Sequence, residues 1–183
     1  MNKKLDRRKK YTRMVLKDSL ITLLKTKQMS AITVKEICDE ADINRSTFYS
    51  HYQDQFDLLA YIEEELITDL NTYLSQYNFE EEEEALQMTE KLLEYVVSKH
   101  DICQTLLSGH GDQSFEQRVM DVTRNFLNKN WAENNEISPD ISEYASTFVI
   151  SGSIYVIKHW LANGMDKSPK QIAELINSFR IRE

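Results

Sequence analysis

Glycine and proline are scarce in this chain, at four and two in 183 residues. So few turn-formers argue against all-β and α/β folds, which need many tight connections, and point to an all-helical structure. No run of about 18 apolar residues occurs, so nothing is expected to span a membrane. The opening MNKKLDRRKK is basic but no apolar segment follows it, so no secretory signal is expected. Cysteine is equally sparse. Cys38 and Cys103 are isolated, without CxxC spacing, which fits reduced thiols in a cytoplasmic protein. Redox sensing by Cys103 is the minor alternative. HExxH, GxSxG and glycine-rich phosphate loops are also missing. His100, His110 and His159 can be imagined beside Cys103 as bases or metal ligands, but their spacing gives no support. No enzyme activity, cofactor or metal site is therefore expected.

What the chain does have is charge, unevenly placed. The net charge is −8, yet residues 1–35 hold eleven basic and two acidic residues, a balance of +9. Through Gln55 the balance is +5, and the remainder carries −13. One basic end on an acidic protein can hold a phosphate backbone there and repel it elsewhere. A solubilising tail is the plainer alternative.

The segment TVKEICDEADINRSTFYSHY, residues 33–52, directly follows that basic end. Thr33 and Glu36 make a T-x-x-E capping box. Val34, Ile37, Cys38 and Ala41 then form one buried helical stripe. Asp42-Ile43 gives a turn with an apolar anchor, and Asn44 can cap a second short helix. That helix keeps Phe48 and Tyr52 on one side and turns Arg45, Ser46, Thr47, Tyr49 and His51 elsewhere. Such an outward set suits phosphates and base edges better than a protein core. An ordinary helical hairpin remains open on spacing alone.

Other helices are marked by apolar periodicity. A first helix is predicted from about Lys9 to Lys25, completing a three-helix head. Asp54 can cap a fourth, with Leu59, Ile62, Leu66, Leu70, Tyr73 and Tyr77 marking a rod shared with the second domain. The run from Glu80 to Glu84 reads as a solvated helix start. A fifth helix ends near Lys99, and Asp101 is placed to cap a sixth through Leu107. Gly109 to Gly111 breaks the chain before a seventh helix with Phe115, Val119, Val122 and Phe126. Ser138-Pro139 starts a long eighth helix that Gly164 stops, and Ser168-Pro169 starts a ninth. The expectation is an all-α protein of about nine helices. Residues 1–55 would form the helix-turn-helix domain and residues 56–183 a helical regulatory and dimerisation domain. Ser151-Gly152-Ser153 places small residues in mid-helix, where close approach of another helix could offset the glycine cost of about 1 kcal/mol. Packing within one subunit is a nearly equal alternative on spacing alone.

From Lys10 to Leu59 the chain resembles the TetR/AcrR family of transcriptional regulators. The resemblance rests on Thr33-Val34, Ile37, Ala41, Ile43, Ser46-Thr47-Phe48-Tyr49, His51-Tyr52, Asp54 and Leu58-Leu59. It implies a recognition helix in the DNA major groove, with Arg45, Ser46, Thr47 and Tyr49 facing bases or nearby phosphates. It also implies that Thr33, Lys35, Tyr49 and His51 hold the backbone. Asn44 and Tyr52 are further candidate DNA contacts. Two positions depart from the family pattern. Asp42 stands where glycine is frequent, and Gln55 where lysine is frequent. The stretch GSIYVIKHWLANGMDKSPKQIAELI is similar to a TetR subgroup that includes regulators of dihydroxyacetone utilisation, which implies dimerisation but names no effector.

The function expected is that of a sequence-specific DNA-binding regulator: a homodimer on palindromic double-stranded DNA, most simply a repressor released by a small ligand. The alternative is a co-activator or protein-interaction module with weak or no operator binding. Tyr95, Cys103, Leu106, Phe115, Phe126 and Tyr155 are candidate ligand-lining residues, although apolar stripes are more often plain core. Phe148, Gly152, Tyr155, Ile172, Ile176 and Phe179 are candidates for the dimer interface.

Overall fold

The computed structural model describes residues 2–76, 82–108, 113–134 and 139–179. Among them are nine α-helices, a short 3-10 turn at Met29–Ala31, and no β-strand. In chain order the helices are α1 (Asn2–Leu24), α2 (Val34–Ala41), α3 (Arg45–Tyr49), α4 (Gln55–Ser75), α5 (Glu82–Ser98), α6 (His100–Leu107), α7 (Gln113–Asn134), α8 (Pro139–Ala162) and α9 (Pro169–Ser178). The features expected at Tyr77, Glu80, Ser138 and Gly109 to Gly111 lie outside the described residues. Two compact units emerge, one of Met1–Leu66 with Thr105–Gln113, the other of Ile67–Gln104 with Ser114–Glu183. The division falls inside α4, so that helix contributes to both.

In the first unit α1 buries Leu16, Leu20 and Leu24 at four-residue steps. It starts at Asn2, earlier than its apolar stripe predicts, because lysine, arginine and leucine are good helix formers and propagate without one. Ile37, Phe48, Leu58 and Ile62 complete a core in which none exceeds 1% exposure. Two polar contacts fasten α1 to α4. Lys17 pairs with Glu65, and the Arg13 guanidinium lies 5.7 Å from the Tyr61 ring centroid. Asp54 caps α4, its Oδ1 accepting the N–H of Phe56 and of Asp57 at 2.9 Å each.

In the second unit Leu70 and Leu74 of α4 pack with Met88, Leu127, Ile150 and Ile154 from α5, α7 and α8. A second cluster joins Leu93 of α5, Trp160 of α8, and Ile172 and Ala173 of α9. Gly164 ends α8 with φ of 72°, and the Met165 N–H reaches back to the Trp160 carbonyl at 2.9 Å. The Trp160 Nε1–H donates to the Lys167 carbonyl at 3.0 Å, pinning the connection to α9. Ser168 and Gln171 then form a reciprocal capping box ahead of α9. Asp101 is not the N-cap residue of α6, which spans His100–Leu107. The Cys103 N–H bonds the Lys99 carbonyl at 2.9 Å, so the helix begins two residues earlier than an Asp101 cap would place it, and Asp101 sits in its first turn.

Candidate nucleic-acid interface

The helix-turn-helix is built by three local devices. At the start of α2, Thr33 Oγ1 accepts the Glu36 N–H at 3.3 Å, and Glu36 Oε2 accepts the Thr33 N–H at 2.9 Å. Glu36 Oε1 also accepts from Lys27 Nζ at 2.6 Å. The Lys27 ammonium first, then the Thr33 hydroxyl and N–H, hold the Glu36 carboxyl at about 2 instead of the ordinary 4.5. At the end of α2, Asp42 takes the left-handed conformation with φ of 50° and ψ of 44°. Aspartate tolerates that region better than most residues. The Ile43 N–H then closes onto the Cys38 carbonyl at 3.0 Å. Finally, Asn44 caps α3, its Oδ1 accepting the Ser46 N–H at 2.9 Å and the Ser46 hydroxyl at 3.1 Å.

These devices fix which side chains face outward. Phe48 is fully buried and anchors α3 on the core. Thr33, Lys35, Asn44, Arg45, Ser46 and Tyr49 are exposed, and Thr47 and His51 are half-buried. Tyr49, at 58% exposure, keeps its ring edge against Phe48 with centroids 5.6 Å apart. Tyr52 corrects the sequence reading, because only 5% of it is exposed. Four residues after Phe48 it falls on the same inward side, with ring centroids 5.9 Å from Phe48 and 5.6 Å from Tyr61. Burial pushes its phenol up to about 12. Tyr52 therefore supports the recognition helix from behind and cannot reach a groove. Residues 50–52 also lie past the last turn of α3, which is shorter than the sequence stripe suggests.

Cations of α1 lie near the end of α3, while Asp39, Glu40 and Asp42 are exposed ahead of it. Lys9, Lys10 and Arg13 of α1 are exposed, as are Arg7 and Arg8. Burial, and then the cations of Arg13 and Lys9, depress the His51 imidazole, which places those cations close to the end of α3. Lys35 and Arg45 are exposed and, among the described residues, outside any ion pair. Lys17 and Lys27 are instead spent on Glu65 and Glu36, so the formal charge of the basic end overstates what a phosphate would meet.

The other candidate positions scatter. An apolar cavity in the second unit is lined by Phe126, but not by Tyr95, Cys103, Leu106, Phe115 or Tyr155. Tyr95 donates its hydroxyl to Asp69 Oδ2 at 2.5 Å. Cys103, Leu106 and Phe115 are buried, while Tyr155 is 73% exposed. Burial pushes the Cys103 thiol up to about 12 and raises that of Cys38, so neither is a thiolate near neutral pH. Of the interface candidates, Phe148, Gly152, Tyr155 and Phe179 are exposed and Ile176 is half-buried. Ile172 faces inward against Leu93 and Trp160, because α9 packs on α5. Among the described residues no cluster of three His, Cys, Asp or Glu side chains is placed to hold a metal. No helix among them is long and apolar enough to cross a membrane.

A capped α2, a left-handed turn, and a short α3 presenting Arg45, Ser46 and Tyr49 define a helix-turn-helix of the kind that reads DNA. Residues 83–181 match the TetR transcriptional regulator C-terminal region. The chain belongs to the TetR family of transcriptional regulators. A TetR transcriptional regulator from Streptococcus agalactiae 2603V has the same fold, with a TM-score of 0.67 at 25% identity over 97% of each chain. The dihydroxyacetone kinase operon activator DhaS shares the fold with a TM-score of 0.58 at 20% identity, over 91% of this chain and 92% of that one. The uncharacterized HTH-type transcriptional regulator YxbF of Bacillus subtilis (strain 168) is 32% identical over 65 residues, 36% of this chain. That match spans 16% of the length of YxbF.

Proposed function

We propose that this TetR-family regulator works in the cytoplasm as a homodimeric repressor that binds a palindromic operator and is released by a small ligand. The observation that carries the reading is the outward set of α3, Arg45, Ser46 and Tyr49, on a cationic head. Thr47 would join them at the bases, and Thr33, Lys35 and His51 would grip the phosphates. Two heads related by a two-fold axis would read half-sites about 34–36 Å apart, or a multiple of that. The −13 of the residues after Gln55 would keep the rest of the molecule off the duplex.

Dimerisation would use the outer face of α8 and α9. Phe148, Tyr155 and Phe179 are 69%, 73% and 60% exposed on it, a cluster of aromatic surface that a solitary chain rarely leaves in water. Gly152 lies between them, and a Cβ there would meet nothing within 4 Å in this chain. A mid-helix glycine without a neighbour of its own is explained by a second helix approaching closely from outside. A ligand that favours one head spacing over another would release the operator through its differential affinity for the two states. We assign residues 1–55 to DNA binding and residues 56–183 to regulation and dimerisation on the same grounds.

Footprinting across the region upstream of the gene tests the reading. The expected result is a protected palindrome and a specific band that survives raised salt. A chain that gives no specific band at any salt is a protein-interaction module instead.

A further inference from the structure

Helices α4, α5, α7, α8 and α9 line a partly open cavity of about 140 Å³ in the second unit. Leu70, Met88, Leu92, Phe126, Ile150 and Ile154 form much of its wall, and no residue lining it carries a formal charge. Its hydroxyl protons and one N–H of Asn177 are already committed. The hydroxyls of Thr89 and Thr123 donate to the Ala85 and Val119 carbonyls at 2.9 Å each. Ser153 donates to the Val149 carbonyl at 2.7 Å, and Asn177 Nδ2 to the Ala173 carbonyl at 2.9 Å.

Close-packed interiors hold few voids larger than a water molecule. A water needs two to four polar partners, and an engineered cavity of about 150 Å³ lined by Leu, Ile and Phe stays dry and takes benzene. The present cavity has a similar volume and a similarly apolar lining, and is partly open to the surface. A carboxylate or phosphate inside it would give up hydration and meet no cation and no uncommitted hydroxyl.

We propose that this cavity binds a small uncharged hydrocarbon-like ligand, the size of a single aromatic ring or a short alkyl chain. Its regulatory meaning rests on the ligand-responsive reading above. Val149, Ser153 and Ile176 line both the cavity and the external groove between α8 and α9. One layer of side chains therefore separates the ligand from the face assigned to the second copy, and occupancy alters that face directly.

Toluene and benzoate, nearly equal in shape and different in charge, make the test on the full chain. Toluene should give a saturable rise in Tm of a few degrees, with methyl NMR shifts confined to residues such as Ile150 and Ile154. Benzoate should give neither. Leu92→Phe, which fills the void, should abolish the toluene response, and the wild-type methyl shifts locate the site even if that variant does not fold. Equal binding of benzoate, toluene shifts away from these methyls, or no response to toluene each overturn the proposal. Operator binding is measured separately on ligand-free protein. A specific band without toluene binding refutes the ligand class alone, whereas toluene binding without a band supports the site and refutes the regulator reading.

Discussion

Asn44 Oδ1 accepts both the backbone N–H and the hydroxyl of Ser46, at 2.9 and 3.1 Å. Two side chains that the sequence offers equally as DNA contacts are thus partners of each other, and the first turn of α3 is set before any DNA arrives. The Asn44 oxygen acts as a cap, and Ser46 keeps its exposed position beside Arg45.

Asn44→Ala should lower the stability of the head by about 1 kcal/mol, the usual cost of losing such a cap. Asn44→Asp, which keeps the acceptor, should recover most of it. Urea denaturation followed by circular dichroism measures both.

Glu36 links stability to pH. Its carboxyl is held at about 2 in the folded chain against an ordinary 4.5, so its contribution is complete above about 4.5 and is lost as pH falls toward 2. Wild type should therefore be more stable than Glu36→Gln at pH 6, and the gap should close between pH 4.5 and 2. Thermal unfolding of the two proteins across that range checks it; a constant gap would show that the Lys27 and Thr33 contacts contribute nothing through ionisation.

Tyr52→Phe should leave operator affinity unchanged. The Tyr52 hydroxyl is buried and, among the described residues, has no hydrogen-bond partner. Removing it should leave stability unchanged or raise it by up to about 1 kcal/mol, since an unsatisfied buried polar group is unfavourable. Fluorescence anisotropy with labelled operator and a parallel urea melt give the two readouts.

Much of this head is legible in the sequence because its controlling devices are local. Thr33 with Glu36, Asn44, and Asp54 each bond to groups two or three residues away, so type and spacing suffice to place them. Asp42 is similar, since a helix stop needs a residue that accepts positive φ. Tyr52 was less legible. Periodicity put it with Phe48, but only the packing of Tyr61 behind it shows how completely it is enclosed. The cavity was hardly legible at all. Leu70, Met88 and Ile150 lie on ordinary apolar stripes, and whether an inward residue meets a neighbour or a void depends on helices distant in sequence. Ile172 and Tyr155 illustrate the same limit, because the contact of α9 with α5 decides which face of each helix is left in water.

Gly152→Leu should leave the single chain folded, since the position is open in it, and should weaken self-association. Overpacking a close helix contact costs about 1–3 kcal/mol, or roughly tenfold to a hundredfold in the dimer constant. Sedimentation equilibrium at several concentrations distinguishes this from an unchanged dimer, which would place the interface elsewhere.

The most direct test is operator affinity of Arg45→Ala and Tyr49→Phe at one fixed salt concentration, beside wild type. Both side chains are exposed on α3, and Tyr49→Phe keeps the ring that meets Phe48, so circular dichroism and oligomeric state should not change. The account predicts a loss of roughly tenfold to a hundredfold for Arg45→Ala, the range of a lost base or phosphate contact, and a smaller loss for Tyr49→Phe. Wild-type affinity in both variants would contradict it.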